Sequence, residues 1–530
     1  MSTAAGPETL AEAIRAGARR FADTRFVVAS DVRPRETELG ALVAEAERVA
    51  GALQAHGVQA GDVVAIQLPN WYEGAIAQAA AALAGAVVLP IVQIYGPREV
   101  GFILRESRAK LFVLPGTWRG RYYPDMLGEL GELPGLAAAV VVDDARPPGA
   151  GSGEPGAPTV LTWDELATRA KPFAEPVIDS SSLAAMVYTS GTTADPKGVQ
   201  HTNASVLAEV MSHAASNATG PGTSHLAVFP SGHIAGFIGL LRMLVHGSPT
   251  VTMDQWDIGK AARLVDEYQV TYTSGAPVHL AGMLDAKERG EASLASLSEY
   301  LVGGASVPPS LVARADAAGV IAYRCYGSSE HPTISTGVVG DSLQKRSNTD
   351  GRVIAGNEVR IIDAGGNDVA AGVDGQVVTR GAELFAGYRD DNLNADAFGG
   401  GGWFHTGDIG NIDADGYLTI TDRMKDIIVR GGENISSKEV EDVLSSHPRV
   451  AEVAAVGAPD ERYGERVAVF VILREGTELT IAEVGEHFRA AGVARQKTPE
   501  SVFVVDSLPR TAAGKVQKFG LRERLKDGAG

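Results

Sequence analysis

The sequence predicts an α/β protein: a large N-terminal domain of helix-covered, mainly parallel sheets plus a small β-barrel-like part, followed by a small α+β domain. Three observations support this prediction. The chain has 530 residues, which is more than one hydrophobic core usually serves. Helical patterns alternate with short apolar runs over most of its length, as in parallel sheets covered by helices. From residue 353 the pattern changes to short alternating strands with Gly/Asp turns, which favours an antiparallel sheet.

The first part of the chain supplies the parallel sheets. Helical spacing of apolar residues covers 37–56, 73–84 and 203–211. Short apolar runs predict strands, at 63–67, 86–89, 111–114, 138–142 and 183–188. The alanine-rich stretch 79–92 is too short to span a membrane and is interrupted by Pro90, so it predicts a buried helix leading into a strand.

The later part supplies the antiparallel sheet and the second domain. Strands are predicted at 358–363, 375–380 and 416–422, and the Asp413–Gly416 stretch predicts a hairpin turn rather than a calcium loop. Helices at 437–446 and 480–491 then alternate with strands at 450–456 and 466–473, followed by a basic tail. The predicted domains are therefore residues 1–424 and 425–530.

Charge and cysteine content exclude several classes of protein. The formal net charge of −18 argues against a nucleic-acid partner, which would require a basic face. The single cysteine, Cys325, cannot form an intramolecular disulfide. The N-terminus lacks the basic and apolar regions of a signal peptide, so the sequence predicts a cytoplasmic protein without an integral membrane segment.

The stretch from Tyr188 to Gly198 predicts a polyphosphate site. It reads Tyr-Thr-Ser-Gly-Thr-Thr-Ala-Asp-Pro-Lys-Gly, and its glycines, hydroxyls and ammonium group supply the donors that bind phosphates. It is not a Walker A loop, since glycine rather than Ser or Thr follows Lys197. The Gly151–Gly156 stretch matches the dinucleotide pattern G-x-G-x-x-G, but no helix follows it, so we interpret it as a solvent loop.

Four further clusters accompany this loop in a fixed order. They are Tyr326-Gly-Ser-Ser-Glu330, Trp403-Phe-His-Thr-Gly-Asp408, Asp422-Arg-Met-Lys-Asp426 with Gly431-Gly-Glu-Asn434, and Pro509-Arg-Thr-Ala-Ala-Gly-Lys515. In this order and spacing the sequence resembles the adenylate-forming (AMP-binding) superfamily of acyl-CoA synthetases, adenylation domains and luciferases. The resemblance covers the chain from about Thr37 to Lys518 and is greatest to the acyl-CoA synthetases.

The resemblance implies an activity that uses ATP, Mg²⁺ and coenzyme A. A carboxylic acid would attack the α-phosphate of ATP to give an acyl-adenylate, and the thiol of coenzyme A would then displace AMP. The resemblance assigns catalysis to Lys515, Thr193 and Glu330, with Glu330 also holding Mg²⁺. It implies that the C-terminal domain is mobile, swinging about a hinge at Lys425, and that Gly431 and Gly432 then face coenzyme A.

The resemblance also assigns the nucleotide-binding residues. The β- and γ-phosphates would be surrounded by Thr189, Ser190, Gly191, Thr192, Thr193 and Lys197. The adenine would be bound by Gly303, Gly304, Ala305 and Tyr326, and the ribose by Asp408 and Arg423. Gly327, Ser328 and Ser329, which follow Tyr326, would also bind the nucleotide. Ser329 replaces the more usual threonine but keeps the hydroxyl.

The identity of the acid is less constrained. The resemblance points to His233, Gly236, Ser306 and His331 around the acid, although His233 is equally well interpreted as a core histidine. No aspartate lies between Phe229 and Phe237, which disfavours an amino acid. Short- or medium-chain acids and cyclohexanecarboxylate-type acids are the favoured small-molecule partners.

Other activities and assemblies stay open. An acyl-AMP ligase that loads a carrier protein and an aryl-acid CoA ligase are the alternatives. A non-catalytic nucleotide-binding protein is disfavoured because Lys515 and Glu330 are both present. The oligomeric state is also open, with a homodimer as one option.

Overall fold

The computed structural model describes residues 7–142, 158–168, 171–189, 196–216, 219–430, 433–460, 462–511 and 515–526. The Gly151–Gly156 stretch lies outside them. The helices are α1 Leu10–Arg20, α2 Leu39–Ala55, α3 Tyr72–Leu83, α4 Pro97–Ser107, α5 Trp163–Thr168, α6 Asn203–Ser216, α7 Ile234–His246, α8 Ile258–Glu267, α9 Pro277–Glu288, α10 Pro309–Ala317, α11 Leu343–Asn348, α12 Asn394–Ala397, α13 Ser437–Ser445, α14 Ile481–Ala490 and α15 Lys518–Lys526.

The strands are distributed along the whole chain. They are β1 Arg25–Val28, β2 Arg35–Glu38, β3 Val63–Ile66, β4 Val87–Pro90, β5 Leu111–Pro115, β6 Thr117–Trp118, β7 Arg121–Tyr122, β8 Ala138–Val142, β9 Thr159–Thr162, β10 Leu183–Thr189, β11 Lys197–Thr202, β12 His225–Ala227, β13 Thr250–Thr252, β14 Tyr272–Gly275, β15 Glu299–Val302, β16 Ile321–Tyr326, β17 Ser335–Thr336, β18 Arg352–Val353, β19 Asn357–Ile362, β20 Gly375–Gly381, β21 Gly387–Tyr388, β22 Phe398–Gly399, β23 Trp403–Ile412, β24 Leu418–Arg423, β25 Ile428–Arg430, β26 Glu433–Ile435, β27 Val450–Asp460, β28 Gly464–Leu473 and β29 Ser501–Val504.

Two large sheets form the N-terminal part. One has eight strands in the order β21-β11-β10-β4-β3-β5-β8-β9, and the other has nine in the order β18-β17-β16-β15-β14-β12-β13-β1-β2. Most neighbours run parallel, and the antiparallel pairs lie towards the sheet edges, at β10–β11–β21, β16–β17–β18 and β1–β2. The predicted fold class of mainly parallel, helix-covered sheets is therefore confirmed.

Helix α3 shows why this part of the sequence is so rich in alanine. Every residue of Tyr72–Leu83 except Glu73 is buried, and the helix packs beside α2 in one core. Small side chains let α3 be enclosed on all sides, and β4 follows it directly as a fully buried strand. The predicted buried helix leading into a strand is thus confirmed.

A third, antiparallel sheet follows in the order β19-β20-β23-β22, with β24 paired to β23. The hairpin between β23 and β24 turns at Asp413–Gly416, where the Gly416 amide donates to the Asp413 carbonyl over 3.0 Å. The Asp413 carboxylate pairs with Lys345 at 2.7 Å. The predicted turn is confirmed.

The chain ends in a separate C-terminal domain. Its sheet has the order β26-β25-β28-β27, with β29 parallel to β28, and its core includes Ile428, Val440 and Phe488. This domain contacts the third sheet directly, because the amide and hydroxyl of Ser437 both donate to the Asp422 carboxylate on β24. Within the domain, Arg522 pairs with Asp426 at 2.8 Å. The boundary between 424 and 425, and the mobility of the domain, stay predictions.

One strand of the fold was not predicted from the sequence. The predicted helix begins at Asn203 as expected, but the sequence analysis made no prediction for Lys197–Thr202, which forms strand β11 before it. This strand pairs antiparallel with β10, so that Thr189 faces Lys197. Its buried Val199 packs on Phe385 and Tyr388, and this core explains why the segment is a strand.

Candidate active site

The β10–β11 hairpin carries the predicted phosphate loop at its tip. Thr189 ends one strand and Lys197 begins the other, directly opposite. The Lys197 ammonium lies 5.2 Å from the centre of the Tyr388 ring, a cation–π contact. Ser190, Gly191, Thr192 and Thr193 lie outside the described residues.

A tight loop after β16 presents Glu330 beside this hairpin. A side chain at Gly327 would collide with the carbonyl oxygen of Pro332, so only glycine allows the loop to close. The Ser328 amide donates to the His331 carbonyl over 2.9 Å, and the carbonyl oxygen of Ser329 lies 2.8 Å from Nε2 of His201. These contacts fix the backbone on both sides of Glu330.

The Glu330 carboxylate is held by a residue that the sequence analysis missed. The hydroxyl of Tyr388 donates to Oε1 of Glu330 over 2.7 Å, while the Phe385 amide donates to the Glu330 carbonyl over 2.8 Å. Burial, and then the charge of Glu330, raises the pKa of Tyr388, which keeps this hydroxyl a donor. Tyr388 thus touches both Glu330 and Lys197, and only spatial proximity, not a motif, connects the three.

The donor set at Glu330 fits magnesium. Mg²⁺ typically takes one or two carboxylates and completes its shell with water and phosphate oxygens. The described residues contain no group of three or more His, Cys, Asp and Glu side chains that could hold a metal by themselves. A single oriented carboxylate beside a phosphate loop therefore suits an ion that arrives with a nucleotide.

Tyr326, Asp408 and Arg423 form a second hydrogen-bonded group. The Tyr326 hydroxyl donates to Oδ2 of Asp408 over 2.6 Å, and Nε of Arg423 lies 3.1 Å from Oδ1. Asp408 and Arg423 are directly opposite one another on β23 and β24. Burial, and then Asp408, raises the pKa of Tyr326 well above its ordinary value. The Asp408 side chain is only 7% exposed, and these two partners hold its carboxylate in place.

The predicted adenine residues lie at the same sheet edge as Tyr326. Strands β15 and β16 are parallel neighbours, so Gly303, which follows one, lies near the end of the other. Gly304, Ala305 and Ser306 are exposed. Ligands of open α/β sheets typically bind beyond the carboxyl ends of the strands, and these four residues occupy that position.

Lys515 brings the C-terminal domain into this group. Its side chain is half-buried, and its loop is closed by hydrogen bonds in both directions with Thr511. Burial lowers the pKa of Lys515 to about 8; nearby Arg423 acts in the same direction, while Asp408 and Glu330 oppose the shift. The sequence left the domain orientation open, and the structure places Lys515 among residues of the N-terminal part.

The predicted hinge residue follows β24, the last strand of the third sheet. Lys425 is exposed, between β24 and β25. Gly431 and Gly432 lie outside the described residues.

His233 and Gly236 begin helix α7 near Lys515. Nδ1 of His233 accepts a hydrogen bond from the Ala235 amide, and the ring stacks on Phe229 with centres 5.8 Å apart. Burial, and then the charge of Lys515, lowers the pKa of His233 to about 4, so the ring is neutral at pH 7. A side chain at Gly236 would collide with the Pro230 carbonyl.

His331 requires a correction. It was predicted to line the acid site, but its side chain is fully buried and its Nδ1 lies 3.1 Å from the Thr379 hydroxyl on β20. This contact places the ring against the third sheet. Burial lowers the pKa of His331 to about 4, so it is a neutral core histidine.

The sequence analysis also missed two residues beside Phe229. The His279 ring lies 4.4 Å from that of Trp256 and 5.8 Å from that of Phe229. Burial lowers the pKa of His279 to about 4. Neither residue belongs to a recognisable motif. His279 lies on α9 and Trp256 in the turn before α8, and only the fold places them beside each other.

An apolar cavity lies next to Phe229 and α7. It is small, with a volume of about 30 Å³. Its lining residues are all uncharged: Phe26, Asn70, Trp71, Ala75, Ala227, Phe229, Ser231, Gly236, Leu240, Thr250 and Thr252. Such a lining suits an uncharged hydrocarbon group. In the part of the chain that is described, no helix is long and apolar enough to cross a membrane.

Comparison with known proteins places this site in context. The AMP-binding enzyme family matches residues 14–389, and the AMP-binding enzyme C-terminal domain matches residues 439–515. A medium-chain fatty-acid–CoA ligase of Escherichia coli (strain K12) is 33% identical over 98% of this chain and 91% of its own length. A methyl-dioxo-octahydroindenyl-propanoyl:CoA ligase of Rhodococcus jostii (strain RHA1) is also 33% identical, over 98% and 99%.

Solved structures show the same fold. ATP-bound MatB from Rhodopseudomonas palustris superposes with a TM-score of 0.84 at 25% identity, covering 98% of this chain and 100% of its own. The anthranilate CoA ligase AuaEII in complex with anthranoyl-AMP has a TM-score of 0.89 at 24% identity over the full length of both chains.

Proposed function

This chain belongs to the AMP-binding enzyme family, and from that premise we propose that it is a carboxylic acid–CoA ligase that forms an acyl-adenylate from ATP and a short- or medium-chain or alicyclic acid. The acyl group would then pass to the thiol of coenzyme A. The observation that carries this proposal is that Lys515 of the C-terminal domain lies close enough to Glu330, Asp408 and Arg423 of the N-terminal part for their charges to act on it.

Each group of site residues has its own role in formation of the acyl-adenylate. Asp408, fixed by Tyr326 and Arg423, accepts hydrogen bonds from the ribose hydroxyls. The hairpin ending at Lys197 binds the β- and γ-phosphates. Lys515 stabilises the charge that develops as a carboxylate oxygen attacks the α-phosphate and pyrophosphate leaves. Because two anions are brought together, positioning and charge stabilisation supply most of the acceleration.

Glu330 is the residue we assign to Mg²⁺. When bound with ATP, the ion would neutralise phosphate charge. Tyr388 orients the carboxylate for that role.

Support for the acid class comes from the apolar cavity and its neighbours. Its uncharged lining offers no partner for a second carboxylate or an ammonium group. His233 and His279 are both neutral at pH 7 because burial lowers the pKa of each to about 4. The names of the E. coli and Rhodococcus relatives agree with an aliphatic or alicyclic acid.

The second half-reaction requires the C-terminal domain to move. We infer two domains, 1–424 and 425–530, with a hinge at Lys425 in the exposed segment between β24 and β25. Rotation there withdraws Lys515 and turns the segment containing Gly431 and Gly432 towards coenzyme A.

The proposed function is tested by an acid panel. Purified protein with Mg·ATP and coenzyme A is given acetate through palmitate, cyclohexanecarboxylate, benzoate and amino acids, and acyl-CoA and AMP are measured by mass spectrometry. We expect thioester from medium-chain and alicyclic acids. Thioester from benzoate alone would indicate an aryl-acid ligase, and acyl-adenylate without thioester would indicate a carrier-loading ligase.

The rate of adenylation should depend on pH through Lys515. Its pKa is lowered to about 8, so the ammonium group is lost as the pH rises through 8. We expect kcat/KM for ATP to fall above this pH, and kcat to fall only at higher pH, since bound ATP favours the charged form. In Lys515→Arg the guanidinium stays charged, so the alkaline fall should disappear even if the rate is lower. An unchanged alkaline fall in this variant would assign it to another group.

A further inference from the structure

Two buried carboxyl groups face each other behind the Glu330 loop. Glu209 lies on α6 and Glu383 lies between β20 and β21, and each is about 1% exposed. Arg242 pairs with Glu209 at 2.8 Å and is the only ion-pair partner that the described residues give to either carboxyl. One guanidinium cannot balance two buried negative charges, and burial of an unbalanced carboxylate is costly.

The hydrogen bonds leave one oxygen on each side chain. Oε1 of Glu209 accepts from Arg242 and from the Thr333 hydroxyl at 2.9 Å, while Oε1 of Glu383 accepts from the Ser212 hydroxyl at 2.5 Å. Both Oε2 atoms are buried, and among the described residues neither has a hydrogen-bond partner. The Ser212 hydroxyl that donates to Glu383 also lies 3.2 Å from the backbone carbonyl oxygen of Glu209, so the two residues are neighbours. A single proton between them satisfies both atoms.

Burial, and then the charge of Glu209, raises the pKa of Glu383 to about 9. The Asn357 side chain also acts on Glu383 and lowers its pKa, but burial and Glu209 outweigh it. The remaining titratable groups that face the pair are Arg242, His201, His213, His331, Tyr272 and Cys325. Burial lowers the pKa of all three histidines, so they are neutral at pH 7 and Arg242 is the single cation.

The pair holds chain segments on both sides of Glu330. Thr333, which donates to Glu209, lies three residues after Glu330. Glu383 lies just before Phe385 and Tyr388, which bind the Glu330 carbonyl and carboxylate respectively. We propose that Glu383 is a positioning residue for the adenylation reaction proposed above: it shares one proton with Glu209 and thereby fixes the segment that orients Glu330.

The proton itself is tested by folding stability, which does not depend on activity. An unfolded glutamate ionises near pH 4.3, whereas Glu383 keeps its proton in the folded protein to about pH 9. Unfolding therefore releases a proton between these values, and wild-type stability falls as the pH rises. Glu383→Gln keeps a donor towards Glu209 but cannot ionise. We expect the ratio of unfolding constants, wild type over variant, to rise about tenfold per pH unit from pH 6 to 8 in urea titrations.

The positioning role is tested by the dependence of pyrophosphate release on Mg·ATP at pH 7. Glu383→Ala should raise KM for Mg·ATP at least fivefold, and Glu383→Gln should restore it to within twofold of wild type. Glu358→Gln is the control, because Glu358 is exposed on β19 and pairs with Arg380 on the neighbouring strand β20. It should change neither KM for Mg·ATP nor the pH dependence of stability. Identical pH dependence of stability in wild type and Glu383→Gln would overturn the shared proton. A wild-type KM in Glu383→Ala, or equal loss in both Glu383 variants, would overturn the positioning role. Failure of the proposed function would remove pyrophosphate release from all the proteins and leave the stability result intact.

Discussion

Lys515→Ala should reduce adenylate formation by about 10²–10³-fold, the loss that follows removal of one group stabilising transition-state charge. The reason is its position: Lys515 reaches the site from the C-terminal domain and lies with Glu330, Asp408 and Arg423 around the place assigned to the α-phosphate. Acid-dependent exchange between ATP and pyrophosphate measures this half-reaction directly.

The same variant should form thioester from synthetic acyl-adenylate at a rate within about threefold of wild type, because the rotated domain withdraws Lys515 from that step. Lys438→Ala is the matched control, since Lys438 lies on the same domain in a helical pair with Asp442. It should change neither half-reaction. Equal loss of both half-reactions in Lys515→Ala would contradict the two-conformation account.

Asp408→Asn should lower kcat/KM for ATP by about 10²-fold. The substitution keeps the size of a side chain that is buried, but it removes the charge that pairs with Arg423 and accepts from Tyr326. Hydrogen bonds to a charged group contribute about 1.5–3 kcal/mol each, so losing the ribose contacts accounts for an effect of this size.

Nucleotide analogues make that prediction specific. Wild type should discriminate against 2′,3′-dideoxy-ATP, and Asp408→Asn should use ATP and the analogue almost equally. Asp415→Asn, on the exposed turn between β23 and β24, serves as the control and should retain wild-type discrimination. Wild-type discrimination in Asp408→Asn would show that the carboxylate does not contact the ribose.

The sequence predicted those parts of the fold that depend on local pattern. The apolar run at Val63–Ile66 and the alanine-rich helix Tyr72–Leu83 form as expected, since their periodicity alone determines how they are buried. Strand β11 was missed because its hydrophobic partners, Phe385 and Tyr388, lie almost two hundred residues away.

In the candidate site, too, residues within local motifs were predicted and residues brought together by the fold were not. The loop from Tyr326 to Glu330 and the position of Asp408 were readable as motifs, and the structure brings them near Lys515. His331 was misassigned because its burial against Thr379 on the third sheet leaves no pattern in the sequence. Tyr388 was missed because its hydrogen bond to Glu330 joins separate elements of the fold.

A single-turnover experiment tests the central claim most directly. Enzyme in excess over radiolabelled ATP is mixed with Mg²⁺ and the best acid from the panel, without coenzyme A, and quenched over time. The account predicts one pyrophosphate and one enzyme-bound acyl-adenylate per ATP, with the adenylate converted to AMP and acyl-CoA as soon as coenzyme A is added. Release of ADP, or formation of an acyl-phosphate in place of the adenylate, would contradict it.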